Sequence, residues 1–481
     1  MIYEPLFRYN FLKKDGWESV LAAGDPQKIA AVRGGKSAFA VNLRPNVQWH
    51  DGTPLTVDDV IFTYNYIRGA SQNRLQREAF TRLLTDVRRG SSPLQVVFEF
   101  NRVVPDPRVE LWDPIIPANR FHHPPAFVTN TSVAAALDPI SADKNLDINP
   151  MGTGPFRFEK VEFGLPSLVA FKGYHGAVAN LDRVFGHEYV DQSQMVESFL
   201  TSGGPVQLIV EVPPKSLPRI EKNGCCQLNS VPAYNVLAVV LRQRPGSVLE
   251  KDAVRRAMTM AVNRDQILET RFGGKGEVLA SPIMHESPYW EANLKPLKYD
   301  VEQARKDVQA SVPRNTRLSF IYLDAEIGSD THISDVVADI KESLEAVGLK
   351  IDVQKRPLQY YQQSLQRGDF DMALVRWEFN PAYNIRPLFH SANSVNGGLN
   401  YMLFRDDQMD DWLVSYDDAT DESRRQNLMS QMQKHLNAKA PAIFLLSEDK
   451  VYAYHTRYSL PDGTVDPFDF FTYAGLWWLN K

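Results

Sequence analysis

Apolar residues recur at two spacings along this chain. Runs rich in β-branched and aromatic residues at 39–43 and 94–100 predict strands. Between them Val60, Ile61, Tyr64 and Ile67 fall on one helical face. Thr56, three residues before Asp59, predicts the cap of that helix. A stretch rich in Pro and aromatics at 105–125 predicts irregular chain, and Gly152-Thr153-Gly154-Pro155 predicts a tight turn into a strand carrying Phe156 and Phe158. A second apolar block begins near Pro232, where the continuous run 236–241 predicts a buried strand. The segment 252–267 predicts one helix with Val254, Met258, Ala261 and Val262 on its buried face. Helices at 300–308 and 333–347 then alternate with strands at 317–323 and 349–355, and a short strand at 371–375 ends at Trp377. Helices at 407–416 and 422–437 precede late strands at 442–446 and 451–454. Alternation of strand and helix predicts α/β layers. No period of ~20–50 residues marks a solenoid.

Length and composition narrow the picture. A chain of 481 residues with 43% apolar residues has material for more than one core. Its net charge is −5 and it has no basic domain, which argues against a nucleic-acid partner. The densest basic patch, Arg82 with Arg88 and Arg89, reads as a solvated helix end. Cys225 and Cys226 are the two cysteines. Adjacent cysteines rarely bridge, so they read as small buried side chains, with reactive or bridged thiols as the alternative. No apolar run reaches the ~20 residues of a membrane-spanning helix. The first residues carry no leader pattern, which fits a removed leader, a trimmed start or a cytoplasmic protein.

Candidate chemistry is sparse. Gly152-Thr153-Gly154-Pro155 lacks the lysine and helix start of a phosphate loop. His122-His123 is followed by two prolines and lacks ligand spacing, so no metal site and no cofactor are expected. Asp58-Asp59 and Asp406-Asp407 read as charges at helix N-termini. Asn263-Arg264-Asp265 reads as a surface or hinge-near feature. No nucleophile motif is found, and no catalytic residue is assigned. Only a facing pair of carboxylates stays open as an enzymatic geometry.

Five stretches, in order, resemble the family 5 bacterial extracellular solute-binding proteins. They are Ile2-Tyr3-Glu4-Pro5-Leu6, the run from Leu43-Arg44-Pro45 through Trp49-His50-Asp51-Gly52-Thr53-Pro54 to Val60, and Met151-Gly152-Thr153-Gly154-Pro155-Phe156. The other two are Val254-Arg255-Arg256-Ala257-Met258 continuing to Asn263-Arg264, and Gly368-Asp369-Phe370-Asp371-Met372-Ala373 continuing to Trp377. The resemblance spans essentially the whole chain. It implies a bilobal α/β fold of the periplasmic-binding-protein type with an extra subdomain in lobe 1. Lobe 1 would comprise 1–33, 150–231 and 450–481, the extra subdomain 34–149, and lobe 2 232–449.

The implied function is capture of a solute between two closing lobes and its delivery to the membrane permease of an ABC importer. The protein would be a monomer, not an enzyme, in the periplasm or on the outer face of the cytoplasmic membrane. The solute would be peptide-like, or a sugar, opine or metal chelate. The alternative is a cytoplasmic ligand-sensing domain of a transcriptional regulator. The resemblance places ligand contacts near Trp377, as a stacking wall or as core. Asn380 stands where peptide binders carry an aspartate for the ligand ammonium. Glu378 or Glu4 would supply the missing charge, and Trp112, Tyr383, Arg386 and Tyr401 are further candidates.

Overall fold

The computed structural model describes residues 1–10, 16–69, 83–120, 150–162, 164–189, 191–201, 203–324, 331–379, 383–395, 398–460, 465–466 and 470–480. Arg82, His122, His123 and Asn380 lie outside these residues. The chain forms two compact units, Met1–Glu188 with Arg457–Lys481, and Tyr189–Thr456.

The first unit is built on antiparallel pairing. Strands β1 (Phe7–Tyr9) and β2 (Trp17–Ser19) pair near the start. β3 (Gln27–Ile29), β4 (Ser37–Asn42), helix α1 (Val57–Gly69), β5 (Leu84–Arg89) and β6 (Gln95–Phe100) follow, the strands in the order β3-β4-β6-β5. β7 (Phe156–Glu162), β8 (Leu165–Ala170) and β9 (Arg183–Phe185) make a separate meander. The core joins Leu6, Phe7, Val41, Trp49, Val60, Tyr64 and Phe98. Asp59 closes the start of α1 by accepting from both the backbone and the hydroxyl of Thr56. Asp59 Oδ2 accepts from the Thr56 N–H at 2.8 Å, and its Oδ1 accepts from the Ala118 N–H at 2.8 Å. One carboxylate thereby starts the helix and anchors a loop far along the chain. The Asp51-Gly52-Thr53 turn forms as expected, with Asp51 Oδ1 accepting from the Thr53 N–H at 2.9 Å and Gly52 at φ +86°.

Gly152 and Gly154 do a different job from the expected tight turn, since neither adopts a positive φ. They face the first two residues of the chain. A Cβ on Gly152 would lie 1.9 Å from the Ile2 carbonyl oxygen, and one on Gly154 2.2 Å from that of Met1. The Gly154 N–H donates to the Ile2 carbonyl at 2.8 Å. Glycine is required here because two backbones touch, not because the chain reverses.

The second unit begins with α2 (Gln192–Leu200) and β10 (Leu208–Ile209), then β11 (Cys226–Pro232) and β12 (Asn235–Leu241). Helices α3 (Asp252–Ala261) and α4 (Arg264–Phe272), strand β13 (Gly276–Val278), α5 (Val301–Ser311), β14 (Arg317–Asp324), α6 (Thr331–Ala346) and β15 (Lys350–Pro357) follow. Then come α7 (Leu358–Arg367), β16 (Met372–Glu378), α8 (Arg386–Phe389), α9 (Asp407–Asp418), α10 (Glu422–Lys439) and β17 (Ala442–His455). The sheet order is β10-β17-β12-β16-β14-β15, with β11 and β13 also on β17. β14 runs parallel to β15 and β16, while the pairs made by β12 and β17 are antiparallel. Residues 189–231, expected with lobe 1, thus belong to the same compact unit as 232–449, because β10 and β11 pair along β17.

Two expected elements come out differently. The single helix at 252–267 is two helices, α3 and α4. Val262 breaks the run at ψ 119°, and the Asn263 side chain caps α4 by accepting from the Gln266 N–H at 3.1 Å. The two late strands are one. The polar run Ser447-Glu448-Asp449-Lys450 interrupts the apolar pattern, but its backbone stays paired with β11 and β13, so β17 continues through it.

Two buried arginines close this unit. Arg255 is 1% exposed, and its guanidinium donates to the carbonyls of Leu249 at 2.8 Å, Glu250 at 2.9 Å, Lys439 at 2.8 Å and Ala440 at 3.1 Å, and to Asp252. The last carbonyls of α10 are thus satisfied from another helix. Arg264 is not a surface residue as expected but 5% exposed, donating to the carbonyls of Leu279 and Phe444 at 2.9 Å and to that of Leu297. Burial pulls its guanidinium down to about 10, so it stays charged at neutral pH.

The glycine contacts give a first prediction. Gly152→Ala should lower stability by ~2–3 kcal/mol, because a backbone carbonyl cannot move aside. Gly224→Ala has open space around its new Cβ and should change stability by less than ~0.5 kcal/mol. Equal urea midpoints for the two variants would refute the close-approach account. The arginine cluster gives a second. Arg255→Lys cannot span four carbonyls and should cost ~3 kcal/mol in urea denaturation at unchanged m-value; a loss within ~0.5 kcal/mol would show that the carbonyls find other donors.

Candidate functional site

The sequence-predicted residues fall into two groups, one in each unit. Glu4 and Trp112 belong to the first. Trp112 is half-buried and packs against that unit's core. Glu4 is 1% exposed, and its carboxylate is occupied by its own unit. Oε2 accepts from the Thr153 hydroxyl at 2.9 Å and lies 2.8 Å from His175 Nε2, while Oε1 accepts from the Tyr174 hydroxyl at 2.8 Å. Arg8 stands 4.0 Å from Oε1. Burial pushes the Glu4 carboxyl up, but the hydrogen bond and charge of His175, the Tyr174 hydroxyl and Arg8 together outweigh it and hold the group below its ordinary value. The Glu4 carbonyl also accepts from the Ile115 N–H at 2.9 Å. Of the partners, only Thr153 lay within a recognised stretch; nothing in the local sequence marked Tyr174 or His175.

Of the second group, Trp377, Glu378, Tyr383 and Arg386 lie at or just beyond the C-terminal end of β16, whereas the Tyr401 backbone lies by Arg242, past the strand's other end. Side chains alternate across this strand, so Arg376 and Glu378 face one way and Trp377 the other. Arg376 pairs with Glu448, and Glu378 is exposed opposite Asn235. Trp377 is 8% exposed, edge-on to Phe389 at 6.0 Å between ring centroids and tilted against Phe444 at 6.4 Å. Its indole N–H is buried and has no acceptor among the described residues. Beyond the strand, the Phe379 N–H donates to the Tyr234 carbonyl at 2.8 Å, which extends the ladder by one residue.

Tyr383 is fully buried at φ +46°, a conformation that costs a non-glycine residue ~1–3 kcal/mol. It stacks on Phe379 at 5.9 Å and tilts against Tyr234 at 5.7 Å. Arg386 opens α8 and donates to Asp417 at 2.8 Å, and α8 carries Phe389 onto Trp377. Tyr401 is 9% exposed, and burial pushes its hydroxyl up to about 12. Its carbonyl accepts from Arg242 at 3.0 Å. That same guanidinium covers Gly368, where a Cβ would lie 2.1 Å from it. Trp377 thus meets α8, which carries Arg386, through Phe389, an aromatic that no local pattern marked, while Tyr383 meets the strand end through Phe379. Among the described residues no cluster of His, Cys, Asp and Glu could hold a metal ion. Cys225 and Cys226, expected as small buried side chains with a bridged pair among the alternatives, are half-exposed and bonded to each other.

Known proteins share this chain's fold. Residues 30–396 match the family model described as bacterial extracellular solute-binding proteins, family 5 middle. The glutathione-binding protein GsiB of Pectobacterium atrosepticum is 24% identical over 446 residues, covering 88% of this chain and 80% of its own. The dipeptide-binding protein of Escherichia coli is 23% identical over 470 residues, covering 92% and 83%. Among solved structures, the oligopeptide-binding protein AppA of Bacillus subtilis, in complex with a nonapeptide, superposes with a TM-score of 0.78 at 19% identity, over 100% of this chain and 93% of that one. NikZ of Campylobacter jejuni, in complex with Ni(L-His), gives 0.74 at 18%, over 96% and 90%. The shared fold is the bilobal α/β fold of periplasmic binding proteins.

Glu4 supports a prediction on pH. Its pKa is depressed in the folded state, so its contribution is present above the unfolded value near 4.5 and is lost as pH falls through the folded value. Melting midpoints of the native protein should therefore fall below about pH 4.5, and Glu4→Gln should be less stable at pH 7 but show a flatter slope in that acid range. Parallel curves for the two proteins would show that Glu4 carries no linkage.

Proposed function

This chain belongs to the family 5 bacterial extracellular solute-binding proteins, and from that premise we propose that it captures a peptide-like solute and hands it to the permease of an ABC importer. The family is one of binding proteins, not of catalysts. The regulator expected as the alternative finds no support among the relatives named above. Among the described residues no helix is long and apolar enough to cross a membrane. We place the protein in the periplasm or on the outer face of the cytoplasmic membrane.

One observation carries the reading of the site: the aromatic cluster around the C-terminal end of β16. An extended ligand backbone can pair beside a strand end, with aromatic surfaces receiving alternate side chains. Trp377 supplies the apolar surface, with Arg386 on α8 beside it. Glu378 is the exposed carboxylate next to them and takes the ligand's ammonium in a charge-assisted hydrogen bond. A metal chelate is the second reading, favoured by the likeness to NikZ in complex with Ni(L-His).

Thermal-shift titration with di- to pentapeptides, opines, sugars and nickel–histidine tests this. A true solute at ~100 times its Kd should add ~2.7 kcal/mol to stability. Glu378→Gln should leave the empty protein's stability within ~0.5 kcal/mol and weaken peptides with a free N-terminus ~10-fold. If N-acetylated and free peptides respond equally, and the variant binds both like the native protein, Glu378 does not hold an ammonium group. If the nickel chelate alone shifts the midpoint, the peptide reading fails.

A further inference from the structure

The two cysteines offer a role that solute capture does not use. Cys225 and Cys226 are the only cysteines of the chain, and their sulfurs are joined. A disulfide stabilises a fold mainly by closing a long loop in the unfolded chain. This one spans a single peptide bond, so it closes almost nothing and is not a stability staple. Its effect is local, and its place in the fold decides what that effect is.

Cys226 opens β11, directly opposite His455 near the end of β17. The Cys225 carbonyl accepts from the Thr456 N–H at 3.0 Å and from its hydroxyl at 3.2 Å, and the Cys225 N–H donates to Asn223 Oδ1 at 3.2 Å. Thr456 is the last residue of the second unit, and Arg457 begins the return to the first. The bonded pair therefore holds the final rung of the ladder through which the chain leaves one unit for the other. Both cysteines are half-exposed, within reach of a small thiol reagent.

We propose that Cys225–Cys226 is a two-electron thiol–disulfide switch that clamps the last rung of the β11–β17 ladder when oxidised and loosens it when reduced. A dithiol is the reductant. One of its thiolates attacks a protein sulfur, the S–S bond breaks, and a mixed disulfide forms. Its second thiol then displaces the remaining protein thiol. Two electrons and two protons pass to the cysteines, and the reductant leaves as its own disulfide. An oxidising compartment outside the cytoplasm keeps the pair closed, and exposure to a dithiol opens it.

The proposal stands apart from solute identity and is tested without a ligand. Protein purified without reductant should take up no iodoacetamide at either cysteine, and two equivalents after dithiothreitol treatment, read by intact mass. Amide hydrogen exchange over 226–232 and 451–456 should then rise about threefold or more in the reduced, alkylation-free protein, with the remainder of the sheet unchanged. Cys225→Ser with Cys226→Ser should exchange like the reduced protein and no longer respond to dithiothreitol. Two alkylated cysteines before any reduction would overturn the proposal. So would exchange that is identical in oxidised and reduced native protein, which needs no variant to fold.

Discussion

A buried carboxylate near the start of the chain organises the first unit. Glu4 gathers Thr153, Tyr174 and His175 around its two oxygens, with Arg8 alongside. An isolated carboxylate at this depth would be too costly to keep charged, and its hydrogen bonds and cationic neighbour offset that cost. The same short segment lies against Gly152 and Gly154, close enough that a methyl group would collide with the Met1 and Ile2 carbonyls. His50 completes the join: its Nδ1 accepts from the Gly152 N–H at 3.2 Å, and its Nε2 lies 3.0 Å from the Gly154 carbonyl. Four stretches far apart in sequence are thus one constellation in space.

The second unit solves a different problem. A sheet with helices on it leaves carbonyls without partners at helix ends and in connections. Arg255 and Arg264 answer this with guanidinium groups that reach several carbonyls at once. Arg suits the task because its donors are fixed in a planar fork and it stays charged when buried. Asp371 plays the complementary part, accepting from the Ser319 N–H and hydroxyl at 2.9 Å each and so tying β16 to β14. The Asp371 contact thereby fixes where β16 begins.

At the C-terminal end of β16, packing and the solute contacts we propose draw on the same residues. Trp377 is mostly core by its burial, yet its indole N–H lacks an acceptor among the described residues. Tyr383 holds a left-handed backbone while fully buried. A satisfied core has neither feature, and both belong to the segment from which we propose solute contacts.

Much of the architecture was legible from local pattern alone. The run 236–241, the Asp51-Gly52-Thr53 turn and the Thr56/Asp59 cap depend on neighbouring residues, so periodicity and turn chemistry suffice to read them. Family order in five stretches likewise fixed the class of protein, because each stretch is a short, dense pattern. What the sequence could not supply was the meaning of those patterns. Gly152 reads as a turn until Ile2 is seen against it, and Arg264 reads as a surface charge until three carbonyls converge on it. β17 reads as two strands because its polar middle breaks the alternation, and only pairing with β11 and β13 keeps it whole. Glu4 reads as a candidate for binding ammonium, and only Tyr174 and His175, about 170 residues away in the chain, reveal its occupied oxygens. Local propensity acts over a few residues, whereas burial and long-range hydrogen bonds act between segments, and these were decided by the tertiary structure alone.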